Sequence, residues 1–180
     1  MSLQHISLVS FGHFEQQLLD RIADNVSHEI RMPIKTKEGH IDLSDYYDPS
    51  RRQYNGNNLL KDVETIYSPN SLKTIGLFNV DLFIPILTYI FGQAYLNGNT
   101  GIVSAFRLNN ERYGIVTDDK VIIDRLIKEV IHELGHTFGL IHCHTPTCVM
   151  RSSTYVEDLD LKNSSFCLTC QNELQKSKSS

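Results

Sequence analysis

Apolar positions along the chain change period several times, and each change marks an element. From His5 to Gly12 they alternate with polar ones, which predicts a strand. From Phe14 to Ile30 the spacing lengthens, and Leu18, Leu19, Ile22, Ala23, Val26 and Ile30 form one helical stripe. Met32, Ile34 and Thr36 alternate again and predict a second strand over Arg31 to Lys37. Asp42 to Asn58 is polar and carries Pro49 and Gly56, so it reads as loop with short helix. A helix over Asn58 to Tyr67 follows, then apolar segments at Thr74 to Phe78 and Leu82 to Ile86, the first read as a central strand.

The Asn97-Gly98-Asn99-Thr100-Gly101 stretch is a strong turn signal, and Ile102 to Leu108 reads as the next strand. A long helix, about 118 to 138, carries Val121, Ile122, Leu126, Ile127, Val130, Ile131 and Leu134. Thr117 is its expected cap, Asp118 and Asp119 suit its positive end, and Gly139 can end it. Beyond residue 142 the pattern turns loop-like. The order predicts an α/β (α+β) sheet layer with packed helices and a small C-terminal lobe. The expected division is one domain over 1–180, with an N-terminal part at 1–142 and a cysteine-bearing part at 143–180.

Composition narrows the function classes. The 180 residues are 41% hydrophobic and 21% charged, in the range of an ordinary globular chain. A net charge of −4 gives no footprint for nucleic acid. The longest apolar run, Leu82 to Phe91, is broken by Pro85 and is too short to span a bilayer. The N-terminus lacks a basic start followed by an apolar stretch, so no secretory signal is expected. The expectation is a cytoplasmic monomer with no membrane or nucleic-acid partner.

The chemistry concentrates in residues 132–150, HELGHTFGLIHCHTPTCVM. His132 and His136 lie four residues apart on the predicted helix, about 40° apart in direction and about 6 Å apart in height. Both imidazoles can therefore reach one ion. Glu133 points to the side of that pair, too far round to be a ligand but close enough to take a proton from metal-bound water. His142 can join only if the chain bends back, and Gly139 supplies the residue that can turn left-handed. Three histidines leave the fourth position of a tetrahedral zinc for water, whose pKa the metal lowers. With Glu133 as general base and acid, that pattern points to hydrolysis of a peptide or amide. Scattered core histidines are the bland alternative. Five fixed positions arise by chance on the order of 10⁻⁴ or less in a chain of this composition.

All four cysteines follow: Cys143, Cys148, Cys167 and Cys170. Two close pairs across a loop suit a closed, structural zinc site with four thiolate ligands, and two disulfides are the competing reading. Such a zinc can contribute an apparent ~10–16 kcal/mol to folding a lobe with little core of its own. His144 is expected outside the ligand set. Since Cys143 follows His142, one peptide unit joins the two expected ions. No cysteine precedes 143 to mask the histidine metal.

The stretch from His132 to Cys170 resembles the metzincin clan of zinc metallopeptidases, and specifically the archaemetzincin family. HELGHTFGLIH runs straight into Cys143, then Cys148-Val149-Met150, then the CLTC of 167–170, ten fixed positions in all. The resemblance implies a metzincin-like fold with a twisted mixed sheet, a long active-site helix and a shallow cleft. It implies peptide or protein substrates, with narrow specificity expected. It makes Met150 an apolar floor under the histidines and the Ile102 to Leu108 strand the sheet edge above the cleft. Many clan members carry a tyrosine two residues after that methionine; here the position is Ser152, and the role is not transferred to Tyr155. A non-catalytic zinc protein whose cleft binds a peptide or protein partner is the alternative.

Overall fold

The computed structural model describes residues 4–109 and 118–180. Its centre is a five-stranded mixed sheet built from β1 (Ile6–Phe11), β2 (Ile34–Gly39), β5 (Lys73–Phe78), β8 (Gly92–Ala94) and β9 (Thr100–Ser104). The strand order is β2-β1-β5-β9-β8. β1 runs parallel to β2 and β5, β5 runs parallel to β9, and β8 closes the edge antiparallel to β9. A second, four-stranded sheet comprises β3 (Tyr47–Asp48), β4 (Gln53–Asn55), β6 (Leu82–Ile84) and β7 (Leu87–Ile90), in the order β3-β4-β6-β7.

Helices cover the central sheet on both faces, so β1, β5 and β9 are buried almost throughout. Ile6, Leu8, Ile75, Leu77 and Val103 point to the face under α1 (Gln16–Ile30) and α3 (Asp119–Thr137). Val9, Phe11, Phe78 and Ile102 point to the other, packed under α2 (Gly56–Tyr67) and the small sheet. A period of two thus splits one strand between two cores.

The sequence expectations hold for α1, β1, α2 and the central β5, whereas the strand expected over Arg31 to Lys37 starts later, at Ile34, and runs to Gly39, because Arg31 caps α1 at φ 57°. Asp118, not Thr117, caps α3: its carboxylate accepts from Lys120 N at 3.0 Å, whereas Thr117 lies outside the described residues. Two expectations need correction. The segment read as an edge strand over Ile102 to Leu108 is an interior strand that stops at Ser104, followed by a 3-10 turn at Phe106–Leu108. The edge is β8, whose three residues carry no alternating pattern and give periodicity nothing to detect. The region beyond 142 is also more than loop. It forms α4 (Val156–Leu161) and α5 (Leu168–Ser179), and Val149, Met150, Val156, Leu159, Phe166 and Leu174 join the core beneath α3.

Candidate metal centre and cleft

From Arg125 to Gly135, α3 is buried all round. Its lower turns carry His132 and Glu133 to the floor of a cleft of about 540 Å³. One rim is β7 and β8, from Leu87 to Gln93, and the other is the segment 152–155. Tyr89 Oη on the first rim donates to the Thr154 carbonyl on the second at 2.6 Å.

The helix ends where sequence places the break. Phe138 is the cap, and Gly139 takes φ +91°. Leu140 N then donates to the Gly135 carbonyl at 3.0 Å, which turns the chain back and brings His142 to the helix face. One ring nitrogen from each of His132, His136 and His142 lies within 4.8 Å of the others.

The ring orientations are set from behind. His132 Nδ1 lies 2.8 Å from the Val149 carbonyl, and His136 Nδ1 lies 2.8 Å from the Leu140 carbonyl. A carbonyl can only accept, so both Nδ1 atoms carry the proton and both Nε2 atoms present lone pairs. Those two Nε2 atoms face each other at 3.1 Å. Two acceptors so close repel unless a cation sits between them. Tetrahedral zinc at 2.0–2.1 Å from each nitrogen would separate them by about 3.3 Å. Burial holds the His132 pKa well below the usual histidine value and lowers those of His136 and His142. The three rings are therefore neutral ligands near pH 7, and the donor set fits a metal ion.

Glu133 is buried beside this cluster, and its Oε2 has no hydrogen-bond partner among the described residues. Burial, with the neighbouring Glu129 charge, pushes its carboxyl well above the usual range. Its other oxygen lies against the edge strand: a methyl at Gly92 would stand 2.8 Å from Glu133 Oε1 and 2.8 Å from the Ile102 carbonyl. Only glycine leaves room there for the carboxylate.

Sequence reasoning missed the charges around α3. Glu129 lines the cleft, Lys162 Nζ stands 3.9 Å from it, and Lys162 also donates to the Arg151 carbonyl at 2.9 Å. The available signal was spacing: Glu129 precedes Glu133 by four residues on one helix face.

The four cysteines converge as well. Their Sγ atoms lie within 4.8 Å of one another, all as free thiols, with Cys143 and Cys167 at 3.8 Å. That is far beyond a disulfide bond of about 2.05 Å. It matches the ~3.75 Å between two sulfurs at 2.3 Å from one tetrahedral zinc. Thr145 N points to Cys143 Sγ at 3.4 Å, and Cys167 N to Cys148 Sγ at 3.3 Å. The Cys170 N–H helps lower the Cys167 thiol to about 7, while burial raises Cys148 and Cys170. His144 is exposed and belongs to neither cluster.

Met150 is buried under the histidine turn, and a methyl at Gly135 would run into its Sδ. Ser152 and Tyr155 line the cleft, both exposed.

The family model described as peptidase family M54 matches residues 1–176. The chain belongs to this family, the archaemetzincins. An archaemetzincin of Thermococcus kodakarensis is 36% identical over 176 residues, 94% of each chain. The fold agrees with the crystal structure of archaemetzincin from Methanopyrus kandleri at a TM-score of 0.86 and 31% identity, over 98% of this chain and 96% of that one. A zinc-dependent peptidase from Methanocorpusculum labreanum superposes at 0.84 with 31% identity, over 94% and 99%. Shared fold and family make this chain a member of a zinc-dependent peptidase family. Among the described residues no helix is long and apolar enough to cross a membrane.

Proposed function

We propose that this chain hydrolyses peptide bonds, with His132, His136 and His142 holding a catalytic zinc and Glu133 as general base and acid. A zinc ion held there supplies Lewis acidity, which acidifies a water and polarises a carbonyl. Glu133 takes that water's proton and returns it to the leaving amine. Cys143, Cys148, Cys167 and Cys170 hold a second, structural zinc that fastens residues 143–180 to the rest of one domain. A cytoplasmic setting, where thiols stay reduced, suits that site.

One observation carries the reading. A buried carboxylate oxygen without a hydrogen-bond partner among the described residues, Glu133 Oε2, lies beside three imidazoles whose lone pairs converge. Leaving such an atom unpaired costs ~1–3 kcal/mol or more, a cost that a bound water relieves. An extended peptide would dock along β8, the edge strand among the described residues, accepting and donating main-chain hydrogen bonds as a further strand. That is the role expected earlier of the 102–108 segment, moved to the true edge. The chain would act as a monomer on peptides of narrow range.

The test is a peptide library incubated with wild type and with Glu133→Ala at matched zinc content. Cleavage products from wild type alone support the reading, and identical traces overturn it. Ser152, where many relatives of the clan have a tyrosine, favours a second reading: a zinc protein that binds peptides without turning them over. It predicts peptide binding that survives Glu133→Ala, and no products.

A further inference from the structure

The proposed chemistry leaves one of the two cleft carboxylates, Glu129, unused. Glu129 lies one turn before Glu133 on α3, about 6 Å along the axis, and lines the same cavity. It is 4% exposed. Among the described residues no hydrogen bond reaches its carboxylate, and its ion-pair partner Lys162 is 3.9 Å away. Lys162 does not line the cavity, because its ammonium turns to the Arg151 carbonyl. An occupant therefore touches Glu129 directly, with the Lys162 charge 3.9 Å behind that carboxylate.

The rest of the cavity sharpens the choice. Among the described residues no lysine or arginine lines it, and the walls above the floor include Ile84, Leu87, Tyr89 and Phe91. An apolar shaft ending in a carboxylate that accepts no hydrogen bond among the described residues suits a long stem with a cationic tip. We propose that this cavity is the subsite for a basic side chain of the substrate, Lys or Arg, and that Glu129 recognises its charge. The inference rests on the peptidase reading and names the substrate class for it. A free α-amino group has similar chemistry. The peptides with free and acetylated N-termini below separate the two sources of that charge.

The test compares matched peptides carrying lysine, norleucine or acetyl-lysine at one position, each with its N-terminus free or acetylated. For the zinc-loaded wild type, kcat/KM for lysine should exceed that for norleucine at least about tenfold at one position flanking the cleaved bond, with either N-terminus. In Glu129→Gln that ratio should fall towards one, whatever the absolute rate. A wild-type ratio near one overturns the proposal. So does an unchanged ratio in Glu129→Gln, or a preference that vanishes when the N-terminus is acetylated. Should Glu129→Gln not fold, the lysine and acetyl-lysine peptides decide on wild type alone. If wild type cleaves no peptide, the peptidase reading fails separately. Calorimetry of the same peptides on zinc-loaded Glu133→Gln then decides: tighter binding of lysine supports the subsite, and equal or absent binding overturns it.

Discussion

His132 Nδ1 donates to the carbonyl of Val149 at 2.8 Å, and Val149 sits between Cys148 and Met150 in the chain. One backbone unit thus orients the first imidazole while its neighbours supply a thiol and the apolar floor. Cys143 N also donates to the Met150 carbonyl at 3.0 Å, so both ends of the cysteine loop are tied to the histidine site.

Removing a cysteine should therefore damage the other site. For Cys148→Ser, loss of the structural zinc frees the Val149 carbonyl. Zinc affinity at the histidines should fall roughly 10–100-fold, as for other partners that orient a ligand. Zinc titration of the variant measures it. Full-strength binding at the histidines after loss of the cysteine zinc would contradict the coupling.

Gly135→Ala separates packing from propensity. In an exposed helix the change should stabilise by up to ~1 kcal/mol. Here the methyl meets Met150 Sδ, so overpacking should destabilise by ~1–3 kcal/mol and lower Tm by roughly 2–4 °C per kcal/mol. A thermal melt of the zinc-loaded variant that shows a rise would contradict it.

Gly92→Ala tests the contact between edge strand and carboxylate. The added methyl displaces Glu133 Oε1 or pushes β8 from the Ile102 carbonyl. Turnover should drop by at least about tenfold while zinc content stays at the wild-type level, since a displacement near ~1 Å at the reacting groups is costly. Equal kcat in both proteins would show that Glu133 needs no such room.

Acid release of zinc follows from the imidazole shifts. Protons and zinc compete for the same Nε2 lone pairs. Burial lowers all three histidine pKa values below 6.5, so the folded protein resists protonation where an unfolded chain begins to take up protons. The stability held by these neutral rings is present above pH 6.5 and is lost as pH falls through and below it. Zinc should accordingly remain bound at about pH 6.5 and leave below it. Metal analysis after desalting at stepped pH measures the midpoint, and one at or above about 6.5 would contradict the shifts.

The candidate site was legible because its geometry is local. The i, i+4 spacing of His132 and His136, a glycine three residues on and His142 after the bend are all set within eleven residues. The cysteine pairs read for the same reason. What stayed hidden depends on distant packing. Gly92 to Ala94 is too short and too bland to announce an edge strand. Glu129 and Lys162 look like surface charges in sequence, and only the packing of the C-terminal segment against α3 buries them. The helices after residue 142 were obscured because turn residues and cysteines dominate the pattern there.

The most direct test of two zinc ions with separate tasks is elemental zinc per chain through a chelator time course, with turnover followed in parallel. The account predicts two zincs per chain, with the open histidine site emptying first and activity leaving with it. A single zinc per chain, or activity that persists after the first ion has gone, would contradict it.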